Sequence, residues 1–363
     1  MFLDVRMEGV ALTPDQAKAL DDEFFLSKPL SHFSSRIVML MNAAGDTAAP
    51  SPADQPDFFR ALGLSSSETV LAFREEERQL DVAVDALALR HQAAEALTRF
   101  LYTVAAATPR SGDAPCTWLA LADSPMRLDD VVAANKNAIE ADPSKFLELL
   151  FPYGATIDDT ALAAAQTAIA WVNHAALLLT SDELSINAAY NKVKHGLAIR
   201  TRGDVRIELI TRAPDELGQI PLSSFGEGKS IPIFDRPMLT YLSRSKNAKP
   251  KQGLEAVSLR VEVPVVLAET WMMANVYAAL FHVAARKHYG HPLPDGVASF
   301  PTLVVGRLPE HVIGGSPLGY RTPVTSPPDG ITEARPSGLF FHGRFVPMRV
   351  DLDSKVEGIV TDG

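Results

Sequence analysis

The sequence predicts an α+β fold that is predominantly α, namely a helical bundle with a small antiparallel sheet inserted before the last long helix. Two observations carry this prediction. Apolar residues recur at helical spacing over long stretches on both sides of residues 201–263, and within those residues the spacing changes to the alternation that is typical of strands. The chain has 363 residues, of which 47% are hydrophobic, so it is long enough for one large or two ordinary domains with a sizeable core.

We expect the chain to be organised in five segments. Shifts in periodicity and in Pro and Gly content mark their limits, and we find no internal repeat of fixed period. The segments are an N-terminal helical segment with a linker (1–63), a helical bundle (64–200), a small antiparallel β insert (201–263), a helix returning to the bundle (264–290) and a Pro- and Gly-rich C-terminal region with short strands (291–363).

Capping sequences mark the first helices. From Thr13 a hydroxyl cap, a proline in the first turn and an amide three residues after the cap predict a short helix to about Leu26. Residues 42–56 are rich in Ala, Gly, Ser, Asp and Pro and predict an exposed linker. A second capping box, residues 65–68, begins a pattern that stays helical to about Ala107. Its apolar face is wide, which predicts neighbours on more than one side.

Shorter helices are predicted next, and they lead to the most polar helix end of the chain. Helical pieces are expected at 128–140 and 143–151, and an Ala-rich helix at 158–179. A third capping box, residues 180–183, begins a helix that we expect to end in a left-handed cap at Gly196.

Strand-like alternation follows Gly196. Alternation of apolar and polar residues predicts strands at 205–210 and 257–263, and 231–234 and 239–242 are weaker strand segments, with a basic loop at 243–253. Residues 265–289 return to a helix that is apolar nearly all round, which predicts packing against the bundle. Residues 339–350 predict a final strand pair.

Composition favours a soluble cytoplasmic protein without a membrane partner. A single cysteine, Cys116, excludes an intramolecular disulfide and fits a reducing compartment. Two stretches approach the length of a membrane span, 161–180 and 264–285, but each contains polar residues that are costly in lipid, which favours core helices. The net charge of −10 argues against a protein that coats nucleic acid, whereas residues 190–260 hold 13 Lys and Arg against 7 Asp and Glu and keep a local anionic partner possible.

The sequence contains no nucleotide-binding loop, dinucleotide fingerprint, nucleophile elbow or paired-cysteine zinc pattern, and we expect no cofactor. His288 and His291 are three residues apart without an obvious third ligand. We therefore expect no metal site there.

Two polar rows at helical spacing carry the functional prediction. Asn187, Asn191 and His195 share one face of the helix before Gly196. His91, Glu95 and Arg99 share a face of the long preceding helix. If the rows meet, a carboxylate, a guanidinium, imidazoles and amides converge in a partly dry setting. The alternative is structural: an i,i+4 surface pair of Glu95 with Arg99, and a well-formed C-cap at residues 194–196.

The helix with the sequence RHQAAE at residues 90–95 and the later helix ending NKVKH at 191–195 resemble the HEPN superfamily of helical-bundle proteins, many of which are ribonucleases of toxin and defence systems. The resemblance covers roughly residues 64–200. In that family an Arg is followed after four to six residues by His, often with Asn directly after the Arg, and two protomers pair these motifs to cleave RNA without metal. Here Asn191 and His195 match the Asn and the His, but residues 188–190 are Ala, Ala and Tyr, so the Arg is missing.

The resemblance implies that His195 and Asn191 are the catalytic residues, with His195 as general acid or base. Lys192, Lys194 or Arg99 could supply the charge of the missing Arg, although not its bidentate geometry. The expected binding residues are Lys192, Lys194, Tyr190, Asn187, His91, Glu95 and Arg99.

The sequence thus favours a HEPN-like protein that binds RNA or another anionic ligand, as a metal-independent ribonuclease if it is catalytic, and as a homodimer if it follows the family. The alternative is a non-enzymatic scaffold for protein interactions. A third possibility, an enzyme for a small molecule, requires a deep pocket lined by Glu95 and His195.

Overall fold

The computed structural model describes residues 7, 9–45, 75–181, 186–203, 207–210, 230–234, 237–244 and 252–347. Helices dominate this part of the chain and a six-stranded antiparallel sheet accompanies them, which confirms the predicted α+β, predominantly α class. The helices are α1 (Pro14–Phe24), α2 (Pro29–Ala44), α3 (Glu75–Ala105), α4 (Thr117–Ala122), α5 (Leu128–Ala141), α6 (Pro143–Leu150), α7 (Asp159–Thr180), α8 (Ile186–Lys194), α9 (Val263–Tyr289) and α10 (Pro309–Ile313). The strands are β1 (Ile199–Arg202), β2 (Ile207–Ile210), β3 (Ser230–Phe234), β4 (Met238–Ser243), β5 (Glu255–Arg260), β6 (Gly319–Pro323), β7 (Gly338–Phe341) and β8 (Arg344–Pro347).

The chain folds into two compact units, each assembled from three separate segments. The described residues of the first, here called the helical unit, fall within 1–38, 87–191 and 264–314. Those of the second, the sheet unit, fall within 39–86, 192–263 and 315–363.

The core of the helical unit is formed by α7, α9 and the part of α3 that lies within it. Aromatic rings pack at its centre, where Phe281 lies 5.5 Å from Phe100 and 5.3 Å from Phe25 between ring centroids. Trp171 on α7 is fully buried, and its indole Nε1 donates a hydrogen bond of 2.7 Å to the backbone oxygen of Arg307. The wide apolar face predicted for the long helix is buried here, as its completely shielded Leu97 and Leu101 show.

The capping box at Thr13 is confirmed. The Thr13 side chain accepts from the backbone N–H of Gln16 at 3.3 Å, and the Gln16 side chain accepts from the backbone N–H of Thr13 at 3.0 Å. Of the linker predicted at 42–56, residues 42–44 belong to α2 instead, and residues 46–56 lie outside the described residues. The box predicted at 65–68 lies outside the described residues, as do residues 182–183 of the third box and most of the basic loop at 243–253.

The six-stranded sheet of the sheet unit has the order β1-β4-β5-β6-β7-β8, and all its neighbours are antiparallel. The predicted strand pair at the C-terminus is present as β7 and β8. Three strands of this sheet precede α9 in the chain and three follow it. From the sequence we predicted a small sheet whose strands come before this last long helix. Strand β6 lies in a region whose sequence shows no periodicity. It pairs with β5 on one side and with β7 on the other, and so joins the strands before α9 to those after it.

Two helices, α7 and α9, are long and apolar enough to cross a membrane by length and composition alone within the part of the chain that the structure describes. The buried share of the most apolar window is 56% for α7 and 72% for α9. Burial of this kind is also found in the core helices of globular folds.

Candidate functional site

The helix with the polar row, α8, ends as its sequence predicts. Gly196 has φ +120°, a conformation that L-amino acids with a side chain rarely adopt. The next residue, Leu197, also has a positive φ of 51°. The chain leaves the helix with hydrogen bonds from Leu197 N to Val193 O at 3.3 Å and from Ala198 N to Lys192 O at 3.0 Å. This turn positions the end of α8 and leads directly into β1.

The end of α8 is basic and open to solvent. Lys192, Lys194 and His195 are exposed, whereas Asn187 and Asn191 are half-buried. On the opposite side of the helix Ile186 and Ala189 are buried, so the amides of the predicted row lie at the border between core and surface. We call Lys192, Lys194, His195 and the exposed Arg200 of β1 the basic end. Residues 186–203 contain no Asp or Glu at all.

Within the helical unit the structure joins α8 to α3 through one ring pair. The Tyr190 ring stacks on the His91 ring with centroids 4.0 Å apart and an interplanar angle of 17°. His91 is buried, and its Nδ1 has no hydrogen-bond partner among the described residues. Tyr190 and His91, two of the predicted site residues, are therefore in contact.

The predicted row on α3 forms a chain of ion pairs. Arg99 Nε donates to Glu95 Oε1 at 2.7 Å, and His91 Nε2 lies 3.6 Å from Glu95 Oε2. The His91 imidazole and the Arg99 guanidinium together outweigh partial burial and lower the pKa of Glu95 to about 2. Arg99 also donates through Nη1 to Ser124 Oγ at 2.9 Å and to Pro125 O at 2.7 Å. Its known bonds are thus internal, to its own helix and to the segment before α5.

A second polar group, which the sequence analysis did not assemble, lies deeper in the helical unit. Glu269 of α9 accepts from Arg90 Nη1 through Oε1 at 2.8 Å, and its Oε2 lies 2.7 Å from His174 Nε2. All three side chains are buried. Burial by itself raises the pKa of Glu269, but the Arg90 guanidinium and the His174 imidazole reverse this shift, so its pKa lies below the ordinary value.

One signal in the sequence could have found this group. A carboxylate in the middle of an apolar helix, as at Glu269, requires a buried cation, because an unpaired charge in the core is very costly. Arg90 lies among the apolar residues of the long helix α3 and His174 within the apolar helix α7, which makes them candidates for that cation. Their complete burial indicates that the group serves packing and gives it no access to a substrate.

No family model, curated protein or solved structure matches this chain. The fold and the site must therefore be interpreted from their own geometry. In the part of the chain that the structure describes, no group of three or more His, Cys, Asp or Glu side chains is placed to hold a metal ion.

The geometry divides the predicted site residues into two sets. Tyr190, His91, Glu95 and Arg99 form connected contacts within the helical unit, while Lys192, Lys194 and His195 project from the end of α8. The predicted convergence of His195 with the row on α3 stays a prediction. The basic end presents an exposed imidazole, two ammonium groups and a guanidinium within residues 192–200, and such groups form hydrogen bonds and ion pairs with phosphate oxygens.

Proposed function

We propose that this protein binds RNA through the basic end. The observation that supports the proposal is a local one: Lys192, Lys194, His195 and Arg200 are exposed in a stretch without acidic residues, in a chain whose overall charge is −10. Binding of a polyanion depends on positive charge close to the phosphates, and a local basic surface supplies it. The resemblance to HEPN proteins on the same residues is the reason for choosing RNA among polyanions.

If the protein cleaves RNA, His195 is the group for proton transfer. Imidazole is the side chain that ordinarily gives and takes protons near neutral pH. Lys192 and Lys194 would stabilise charge on the phosphate, and Asn191 would donate a hydrogen bond from the border of the core. A second copy of the chain would supply the second imidazole, so the catalytic form of this proposal includes a homodimer.

The contacts of α3 have a supporting role in this proposal. The stack of Tyr190 on His91 holds α8 from its inner side, and the ion pairs of Glu95 hold the His91 ring in turn. Because these side chains are half-buried or buried, they orient α8 and leave phosphate contacts to the exposed residues.

Binding is tested by fluorescence anisotropy with a labelled single-stranded RNA of mixed sequence at several salt concentrations. The double variant Lys192→Ala with Lys194→Ala should weaken binding. It should also reduce the slope of log K against log salt by about 1.4, because each phosphate contact to a single strand contributes about 0.7. The control is Lys136→Ala on α5, whose side chain is 70% exposed and outside the basic end. No binding by the unmutated protein, or an unchanged slope in the double variant, would contradict the proposal.

Catalysis is tested separately, by incubating the same RNA with protein in EDTA. His195→Ala should reduce the cleavage rate by about 10²–10⁴-fold, the usual contribution of a general acid or base, and should retain most of the binding. If the unmutated protein binds a broad set of RNAs but cleaves none of them, the ribonuclease part of the proposal is wrong and the binding part stands.

The second candidate is a non-enzymatic scaffold for protein interactions. It is favoured because several charged side chains bond to other residues of the protein. Glu269 bonds to Arg90 and His174 in the core, and Arg99 bonds to Glu95 and to the segment before α5. A scaffold predicts that His195→Ala and the double lysine variant leave RNA signals unchanged because there are none. The anisotropy titration above therefore separates the two candidates.

A further inference from the structure

The helical unit contains a cleft that is separate from the basic end and from the buried group of Arg90, His174 and Glu269. Its volume is about 1130 Å³, which is slightly above the range of about 300–1,000 Å³ that is usual for small-molecule sites. The walls are the last turn of α3, the segment that leads to α4, residues 145–157 and the C-terminal part of α9. Glu95 and His195 do not line it, so it is not the pocket that the third sequence hypothesis requires.

One side of the cleft is apolar. Leu280 and Val283 of α9 are buried beneath it, and Val104 of α3 and the exposed Ile157 and Tyr153 border it. Such a surface gains free energy when it is covered by an apolar ligand, at about 25 cal/mol for each Å² removed from water.

Formal charge alone does not define the ligand, because the lining contains four Lys or Arg and four Asp or Glu. Three of the acids already have partners. Asp21 accepts from the backbone N–H groups of Thr117 and Trp118 at 2.8 and 2.9 Å. Asp113 accepts from Leu12 N at 2.8 Å.

Asp123, the third acid of the lining that has a partner, forms an ion pair of 3.1 Å with Arg110. The remaining cations are less satisfied. Lys145 Nζ donates to the backbone oxygen of Ala105 at 2.7 Å and has no carboxylate partner among the described residues. Over the same residues, Arg286 and Lys287 at the end of α9 have no side-chain hydrogen bond or ion pair. Three cations thus stand against one acid, the exposed Glu148, that has no partner in the part of the chain that the structure describes.

The cleft also contains the chain's single thiol, but not as a nucleophile. Cys116 Sγ donates to Asp21 Oδ1 at 3.4 Å, and burial, with a smaller effect of the Asp21 carboxylate, raises its pKa to about 11. A protonated thiol is inert toward electrophiles at neutral pH. The thiol therefore supplies no nucleophile to the cleft.

From this combination of an apolar wall and cations that have no carboxylate partner among the described residues, we propose that the cleft binds an amphipathic organic anion, an alkyl carboxylate whose chain lies along Val104 and Ile157 above the buried Leu280 and Val283, and whose head group pairs with Arg286 and Lys145. The arrangement matches the usual composition of ligand sites, which are mostly apolar with a few polar groups that fix orientation. An Arg is well suited to a carboxylate because its planar guanidinium donates hydrogen bonds to both oxygens at once.

Isothermal titration calorimetry on the full chain tests this with three probes of equal chain length, decanoate, 1-decanol and decylamine. Decanoate should bind most tightly, 1-decanol about tenfold more weakly, and decylamine more weakly still, because a charge-assisted hydrogen bond contributes about a factor of ten or more. Equal affinity for decanoate and 1-decanol, or no heat with decanoate, would overturn the proposal.

Variants locate the binding in the cleft. Arg286→Gln and Lys145→Gln should each weaken decanoate by about tenfold and leave 1-decanol unchanged. Ala284→Trp, which adds a large side chain to the wall at a half-buried position, should abolish binding of both at an unchanged melting temperature. The control is Lys136→Gln, which lies outside the lining. Retention of decanoate affinity in both Arg286→Gln and Ala284→Trp would exclude this cleft as the site.

Discussion

At the scale of single residues, Glu269 connects three core helices of the helical unit, because it bonds from α9 to Arg90 on α3 and to His174 on α7. It is a fully buried carboxylate held by Arg90 on one oxygen and His174 on the other. Arg90 Nε is itself buried without an acceptor among the described residues, so the guanidinium relies on Glu269. Loss of one member leaves a charge in the core without its partner.

We predict that Glu269→Gln lowers the free energy of unfolding by about 3–5 kcal/mol, as measured by urea denaturation, because the Arg90 charge becomes unpaired in the core. The double variant Arg90→Met with Glu269→Gln should recover part of this loss. Glu140→Gln, which breaks an exposed i,i+4 pair with Lys136 on α5, serves as the control and should change stability by less than about 1 kcal/mol. A small effect of Glu269→Gln would show that the triad is not integral to the core.

The dependence of stability on acidic pH is also predicted from single residues. The pKa of Glu95 is lowered from 4.5 to about 2, and that of Glu269 is also lowered. A carboxyl with a lowered pKa in the folded state contributes stability above its unfolded pKa and loses it as the pH falls. The free energy of unfolding should therefore decrease between about pH 4.5 and pH 2.

This dependence is measured by urea denaturation across that pH window. Glu95→Gln should reduce the slope, because its carboxyl no longer takes up a proton on unfolding. Glu140→Gln should leave the slope unchanged, since its side chain is exposed. An equal slope in the unmutated protein and in Glu95→Gln would contradict the role assigned to the His91, Glu95 and Arg99 row.

At the scale of elements, the turn that follows α8 determines the orientation of the basic end. The helix is held from within by the stack of Tyr190 on His91 and ends at Gly196 with two consecutive positive φ angles. A Cβ at Gly196 would meet nothing within 4 Å, so the requirement for glycine is conformational and not one of space. Replacement of this glycine should therefore act on the turn alone.

We predict that Gly196→Ala lowers the free energy of unfolding by about 1–2 kcal/mol, because alanine at this positive φ is strained. The same variant should weaken RNA binding if the basic end is the RNA site, since the turn orients His195. Gly315→Ala is the matched control, because its Cβ also meets nothing within 4 Å and its φ is not positive. Melting temperatures and the anisotropy titration provide the two measurements, and equal behaviour of the two variants would contradict the conformational argument.

At the scale of the whole molecule, charge and topology are distributed unevenly along the chain. Residues 1–189 hold 13 Lys and Arg against 27 Asp and Glu, whereas residues 190–260 hold 13 against 7. Under the RNA proposal, this contrast restricts contact with the polyanion to a local surface. The salt dependence of binding tests the proposal because it reports how many phosphates the cations of that surface contact. The cleft is an independent feature of the helical unit, so failure of either proposal leaves the other unaffected.

Much of the fold was accessible from the sequence because local signals were strong. The periodicity over α3, α7 and α9, the capping box at Thr13 and the glycine at position 196 each depend on neighbours within a few residues, and the structure confirms them. The sequence also predicted β2 and β5 from local alternation, and β3, β4 and the pair β7–β8 as further strand segments. It gave no signal for β1 and β6, which are short and flanked by turns.

The sequence by itself determined the helical class, the helix ends and the polar rows at i, i+4 spacing, because backbone geometry places those residues on one face. Only the tertiary structure decided that Glu269 pairs with Arg90 and His174, that Tyr190 stacks on His91, and that β6–β8 complete a sheet begun before α9. The cleft behind Arg286 belongs to the same category. Each of these depends on residues far apart in the chain, whose meeting is fixed by packing of the whole core and leaves no trace in local periodicity.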